Sequence, residues 1–496
     1  VAVESGRQQH LVIVGAGITG LAAARNAARK RPDIRITVIE SSNRVGGKIQ
    51  TVREDGFVIE GGPESWLAAK SWLTDLCGEI GLGDAIQGTR PENRGSRVLW
   101  GGRLHPIPEG LTGLIPTRLR PILTSSLLSP AGKLRLGADW VLRGRTTSDD
   151  ESLSSFVTRR FGRQAYERLI EPLMAGIYAG DGGQLSTLAT FPQLRAAERE
   201  HGSVIRGVIA NRNRATPAAA KSGGSASPAG GQAGIAPAAA RTGFISPVDG
   251  MATIVERLAA DLDERGVTIR IGVRVLELRH GTGDSRFTLG LDSGETLAAD
   301  AVVLATPPAV TGKLLTDDGQ GVAPQAGAHL LRIPAVDSVT MTLAFRRRDI
   351  TRSLCAYGYV VPRVQRRPIL ASTWTTSKWA NRAPDDTVLF RFYVGRAGQR
   401  PSLDLPDDEL EALALAEMRD VLGITATPIR RWVFRWPGGS PQYTVGHLDR
   451  VAEIERRVGE IPGLAVAGCG YHGVGIPDCV RSGERAVARV LPHLPA

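Results

Sequence analysis

Cysteine is scarce in this chain of 496 residues: Cys77, Cys355, Cys469 and Cys479 are the only four, and no two form a C-x-x-C pair. Thiols so few and so spaced exclude a disulfide framework and a cysteine-built zinc site, and they predict a reducing compartment. The eight histidines show no H-E-x-x-H or other ligand spacing, so no metal is assigned. No G-x-S-x-G turn is present to expose a nucleophilic serine. Long hydrophobic runs are missing as well. The longest, Leu11 to Ala24, is broken by three glycines and runs into Arg25, so no segment is expected to span a bilayer. The opening residues Val1 to His10 lack an apolar core of signal-peptide length, which predicts that the chain is not secreted and is cytoplasmic. No repeat of roughly 20–50 residues is visible.

Lysine is the next scarcity. The 61 basic residues include few lysines and many arginines, against 50 acidic ones, for a net charge of +11. The basic clusters, such as Arg346-Arg347-Arg348 and Arg430-Arg431, are short and scattered, and aromatics make up only 5% of the chain. Nucleic-acid binders gather cations on one face with stacking residues between them, so nucleic acid is not an expected partner. An anionic small substrate, a polyanionic surface and an Arg-rich coding bias all stay open. A composition of 42% hydrophobic and 22% charged residues excludes a wholly disordered chain, and the length suggests two to four domains.

What is present begins at the N-terminus. Leu11-Val12-Ile13-Val14 reads as a strand, Ile18 to Lys30 as an Ala-rich helix, and Arg35 to Glu40 as a second strand. Between the first two lies Gly15-Ala16-Gly17-Ile18-Thr19-Gly20. Gly15 permits the tight turn, Gly17 lets a pyrophosphate approach the backbone, and Gly20 allows close helix–strand packing. The helix N-terminus offers free N–H groups and a positive dipole to phosphate. Glu40, ending the second strand, is placed to accept from a ribose hydroxyl pair. The unit is therefore expected to bind a dinucleotide. The continuation Glu40-Ser41-Ser42-Asn43-Arg44-Val45-Gly46-Gly47-Lys48 adds a cation placed to reach a phosphate and a second glycine pair. Gly61-Gly62-Pro63-Glu64-Ser65 is another glycine-dense turn.

The wording E-x-x-x-R-x-G-G after the glycine turn resembles the flavin-containing amine oxidase superfamily, which holds FAD in an extended pose. Within it, Gly62-Pro63-Glu64-Ser65-Trp66-Leu67, His105-Pro106-Ile107-Pro108, Glu171 to Asp181, Pro441-Gln442-Tyr443 with Gly446-His447, and Ala467 to Cys479 resemble the porphyrinogen oxidases of haem biosynthesis. The match covers nearly the whole chain outside 215–240.

The resemblance implies non-covalently bound FAD held by residues 15–20, Glu40, Ser41, Arg44, Gly46, Gly47, Lys48, Gly62, Pro63, Glu64, Ser65 and Gly468. It places the Val275 backbone at the adenine, and Val474, Gly475 and Ile476 at the flavin's pyrimidine edge. There the N-terminus of the final helix would stabilise negative charge. Trp436 and Tyr443 are candidates to line the flavin, with core packing as the other reading. Gly176 corresponds to a carbonyl that accepts from a pyrrole N–H, and Lys70 to a cation facing a substrate propionate. Glu171 and Asp181 look like an acid–base pair, but solvated helix ends are expected. No catalytic side chain is required, because the flavin N5 takes the hydride.

The expected architecture is α/β. A discontinuous Rossmann-like FAD-binding domain (10–88, 242–306 and 458–496) carries an inserted helical lobe (89–212), a mobile Ala/Gly/Pro/Ser-rich linker (213–241) and an α+β substrate domain (307–457). The implied reaction is three successive two-electron oxidations of a porphyrinogen, with O2 accepting the electrons as hydrogen peroxide. Lys70 and the G-P-E-S-W-L wording favour coproporphyrinogen III over protoporphyrinogen IX. An amine or polyamine oxidase is the more distant alternative. A carotenoid-type desaturase would want a more apolar tunnel, and a prenyl-protein chaperone would have lost the intact glycine turn. Oligomeric state, peripheral membrane docking and contact with a downstream haem-pathway enzyme are left open.

Overall fold

The computed structural model describes residues 7–109, 111–112, 115–116, 119–145, 147, 149–215, 243–281, 285–399 and 403–495. Most of the expected linker 213–241, from residue 216 onward, lies outside them.

The β-branched run His10–Val14 forms the centre of a five-stranded parallel sheet. Arg35–Glu40 and then Thr268–Ile271 flank it on one side, and Ala301–Leu304 and then Leu464–Val466 on the other. The strands His10–Val14, Ala301–Leu304 and Leu464–Val466 are buried along their whole length because both faces of the sheet are covered there. One face packs on the helices Ile18–Lys30, Ser71–Glu79, Ala252–Glu264 and Ile476–Val490. The other packs on the antiparallel meander Val275–His280, Phe287–Leu291, Thr296–Ala299 and on helices Pro308–Thr316, Pro324–Leu331 and His447–Gly459. These last three helices were expected in the substrate domain. Their buried Leu314, Leu330, Val451 and Ile454 join the core of the parallel sheet instead.

The second half is a seven-stranded mixed sheet in the order Arg430–Pro441, Ala335–Arg346, Thr387–Val394, Ile369–Trp374, Gly358–Val360, Arg97–Trp100, Arg103–Pro106. Its last two strands come from a segment expected in the helical lobe. They add through a parallel pairing of Arg97 and Val98 with Tyr359 and Val360. Helix Asp407–Glu417 covers this sheet through Leu410 and Ala414. The helical lobe has its own core around Phe156, Leu169, Met174 and Leu194. Within it, the helix Leu153–Phe161 ends where Gly162 takes φ +87, and the chain restarts as a helix at Arg163. No helix among the described residues is long and apolar enough to cross a membrane.

Candidate cofactor and substrate site

The corner after the first strand is built as the glycines predict. Gly15 sits at φ +105 and its N–H donates to Ile39 O at 2.7 Å. A Cβ on Gly20 would lie 1.9 Å from Gly15 O, so only glycine lets the helix begin this close to the strand. Gly17 is different. Apart from the Gly47 Cα at 4.0 Å, a Cβ there would meet nothing, so the backbone faces open space where a ligand can approach. Gly17 caps the helix with no side-chain bond, and Ile18–Lys30 has no acidic residue in its first turn. Unpaired N–H groups and an uncompensated positive helix end fit a pyrophosphate.

Glu40 closes the corner. Its carboxylate accepts from Ala16 N at 2.8 Å and from both the N–H and the hydroxyl of Ser42, at 2.9 and 2.8 Å. The neighbour engaged with Glu40 is thus Ser42, whereas Ser41 is exposed. Gly46 N donates to Ala16 O at 2.8 Å, which fastens the second glycine pair to the first. Arg44, expected at a phosphate, spends its terminal nitrogens on its own loop: Val45 O at 3.1 Å, Ile49 O at 3.0 Å and Gly47 O at 2.6 Å. Its place in the structure is that of a staple holding Gly46 and Gly47. Val275 is buried where the outer strand turns into the meander, one residue beyond the Arg274–Asp292 contacts.

The turn Gly61–Ser65 runs beneath Trp436, whose Nε1 donates to Gly61 O at 2.9 Å. Pro63 and Ser65 are half-buried there. Glu64, expected to help hold the cofactor, has its side chain engaged within the protein. Its carboxylate is buried against Lys378 and lies 3.5 Å from Arg391, which also donates to the carbonyls of Gly61 and Gly62. Burial alone would raise its pKa, but the two cations outweigh it and hold the carboxyl below its ordinary value. Next to it Glu60 faces Arg382 at 3.6 Å, and there burial wins and pushes the carboxyl up. This five-residue ionic cluster was missed in the sequence. Its signal was Arg391 inside the otherwise apolar run Val388-Leu389-Phe390-Arg391-Phe392, a cation that a buried strand carries only when paired.

The C-terminal corner completes the cradle. Gly468 N donates to the Ser482 hydroxyl at 3.0 Å. The buried Tyr443 stacks on His447, donates to Cys469 O at 2.6 Å and accepts from Gly473 N at 2.9 Å. It thereby clamps both ends of the loop before the final helix, a packing role. Val474 packs against the helical-lobe core, Ile476 against the parallel-sheet core, and Gly475 caps the helix Ile476–Val490 between them. Lys48 donates to Gly439 O at 2.7 Å.

Lys70 caps the helix Ser71–Glu79 and reaches Asp478, in the first turn of the final helix, at 2.5 Å. The pair stands at the rim of the Val474–Ile476 turn and Lys70 keeps 38% of its side-chain surface exposed, open to an arriving anion. Gly176 lies exposed in helix Glu171–Tyr178, where an added Cβ would meet only the Val360 side chain outside its own helix, at 4.0 Å. Ala179 turns into the left-handed region and bonds back to Ala175 O, so the Gly176 carbonyl lies in the last helical turn, beyond the regular ladder. Glu171 is no solvated helix end. It is buried, paired with Arg396 at 3.2 Å and accepting from Arg363 N at 2.9 Å, and its pKa is raised by burial. Asp181 accepts from Gly183 N at 2.8 Å and shapes a turn.

A two-ended dinucleotide cradle, set between a parallel sheet and a mixed sheet with a helical lobe, defines a flavin-dependent oxidoreductase. The chain belongs to the flavin containing amine oxidoreductase family, whose model matches residues 18–491, and the family's cofactor is FAD. Along its length it is 35% identical to coproporphyrinogen III oxidase of Bacillus subtilis, covering 98% of this chain and 99% of that protein. It is 30% identical to the chloroplastic protoporphyrinogen oxidase of Nicotiana tabacum, covering 99% of this chain and 88% of that one. A crystal structure of a candidate protoporphyrinogen oxidase from Exiguobacterium sp. 255-15 superimposes with a TM-score of 0.80 at 34% identity, over 97% of this chain and 98% of that one.

Proposed function

We propose that this chain oxidises coproporphyrinogen III to coproporphyrin III with FAD, passing the electrons to O2 as hydrogen peroxide. The observation that carries the reading is the similarity to the Bacillus subtilis coproporphyrinogen III oxidase over essentially the whole of both chains. Gly15 to Gly20, Glu40 and the Gly46–Gly47 pair would hold the adenosine and pyrophosphate, with the Val275 backbone toward the adenine. Val474 to Ile476 and the Gly61–Ser65 turn would hold the isoalloxazine end. When bound, the cofactor supplies a two-electron acceptor for hydride leaving a meso carbon.

The chain's own work is binding and exclusion of water. Lys70 takes a propionate, exchanging Asp478 for the substrate's carboxylate in a charge-assisted contact. The Gly176 carbonyl accepts from a pyrrole N–H and fixes the macrocycle's face. The N-terminus of helix Ile476–Val490 offers backbone N–H groups to negative charge, and the Lys70–Asp478 pair neutralises the one acid in its first turn. Conjugation of the pyrroles drives the reaction, so no side-chain acid or base is demanded. The free thiols support a cytoplasmic setting.

Porphyrin fluorescence tests the assignment, with coproporphyrinogen III and protoporphyrinogen IX supplied separately to the holoprotein in air and under nitrogen. Faster turnover of coproporphyrinogen, with peroxide formed only in air, is the expected result. A preference for protoporphyrinogen would favour the second reading, which the similarity to the tobacco enzyme supports.

A further inference from the structure

At the hairpin edge of the seven-stranded sheet the surface carries a groove of about 440 Å³ that the mechanism above does not use. Four stretches distant in sequence build it. They are the hairpin Arg97–Pro106, the segment 352–355 before strand Gly358–Val360, Trp374 at the end of strand Ile369–Trp374, and Val421 beyond helix Asp407–Glu417. None of its lining residues is shared with the cradle, with Lys70 or with Gly176. Trp374 and Val421 belong to the core beneath helix Asp407–Glu417, whereas the Gly176 helix packs through Ala175 on Leu370 and Ala371 in a separate cluster.

The groove is cationic and not neutralised. Arg97, Arg103 and Arg352 line it, and among the described residues none of the three is paired with a carboxylate. Asp420, next to Val421 in sequence, is taken by Arg367 and Arg419, at 3.1 and 3.2 Å, and Asp349 stands 3.8 Å from Arg348. Two of the guanidiniums are held from behind. Arg97 Nη2 stands 3.7 Å from the Cys355 sulfur, and Arg352 Nη1 donates to Leu422 O at 2.9 Å. Each keeps further N–H groups for a ligand, in a planar fork that matches phosphate. A cleft lined by charge of one sign focuses its field on the opposite sign. Trp374 points to a ligand independently. It lines the groove with 2% of its surface exposed, and its buried Nε1–H has no acceptor in the protein. A buried donor left unpaired costs free energy until an acceptor arrives. Leu104 and Val421 add an apolar wall beside the charges.

We propose that this groove binds a small organic anion that joins two or more phosphate groups to an apolar ring. The phosphates take the guanidiniums of Arg97, Arg103 and Arg352, the ring lies against Leu104 and Val421, and the Trp374 indole donates to a ligand oxygen. Three positive charges match a diphosphate better than a monophosphate, which carries about −1.5 to −2. A volume of about 440 Å³ lies within the range of small-molecule pockets. The site is separate from the FAD cradle and independent of the substrate assignment.

The test uses the holoprotein, whose bound FAD occupies the cradle, with ADP as the probe and no porphyrinogen. Cys355, the exposed one of the four thiols, lines the groove and reports on it directly. Saturating ADP is expected to slow alkylation of Cys355 by iodoacetamide about tenfold, read by mass spectrometry after digestion. The double variant Arg103→Gln/Arg352→Gln should weaken ADP binding about a hundredfold in calorimetric titration and abolish the protection, with flavin absorbance per chain unchanged. Citrate, which offers carboxylates and no ring, should bind about tenfold more weakly than ADP. Cys355 alkylated at the same rate with and without ADP, binding retained by the double variant, or citrate binding as tightly as ADP would overturn the proposal. Because no substrate is present, none of these results touches the porphyrinogen reading.

Discussion

Lys70 and Asp478 meet across 408 residues of sequence, and their pairing says how the rim behaves before substrate arrives. A carboxylate-bearing ligand must compete with Asp478 for the ammonium, so Lys70 contributes the difference between two similar contacts. That difference is modest, since Lys70 is partly exposed and solvent screens it. Lys70→Met is therefore expected to raise KM for coproporphyrinogen about fivefold, near 1 kcal/mol, with kcat nearly unchanged in steady-state fluorescence assays. An equal fall in kcat would mean that Lys70 acts on the reacting geometry and not on binding. The sequence singled out Lys70 through the family likeness alone, and the propionate contact it implies is a proposal. Asp478 as its partner was not legible there, because spacing along a chain carries no information about which distant charge faces which.

At the scale of the element, the glycine corner shows what local sequence does encode. Gly15, Gly17, Gly20 and Glu40 lie within one strand–helix–strand unit, and their contacts are fixed by backbone geometry within 26 residues, so the reading from residue types alone carries through to the structure. Gly20→Ala puts a methyl into the Gly15 carbonyl, and the strand end or the helix must move. The expected outcome is a protein that folds but retains FAD at least tenfold more weakly, about 1.4 kcal/mol, read as flavin absorbance per chain after gel filtration. Retention equal to the parent would show that the corner relaxes without cost to the phosphate site. Arg44 and Glu64 mark the limit of the same reading. Each is a charge beside a glycine turn, a pattern that suits a ligand contact. Their side chains serve loop carbonyls and a buried ionic cluster whose cations, Lys378 and Arg391, lie more than 300 residues away.

Across the whole molecule, that cluster joins the two halves. Glu60 and Glu64 belong to the strand and turn leading from the parallel-sheet domain, while Arg391 lies in strand Thr387–Val394 of the seven-stranded sheet and Lys378 and Arg382 in the segment leading into it. Removing one buried partner leaves the other charge desolvated and unpaired. Arg382→Met is expected to lower stability by about 3–5 kcal/mol in urea unfolding, with the two halves losing their shared transition. A loss under about 1 kcal/mol would assign the adhesion to apolar contacts. Domain limits were the least legible feature. The hairpin Arg97–Pro106 joins the seven-stranded sheet, and the helices Pro308–Leu331 and His447–Gly459 pack with the parallel-sheet strands next to them in sequence, associations that no motif in the sequence announces.

The parallel sheet takes strands from both extremes of the chain, and helix Ile476–Val490 lies directly on helix Ile18–Lys30, with Gly483 against Thr19 and Ala23. A ribosome must therefore deliver the chain through Val490 before the glycine corner near His10 finds its opposite wall. Vitamin-derived cargo meets a closed cavity only after that segment has emerged, and until then every nascent copy carries it ajar.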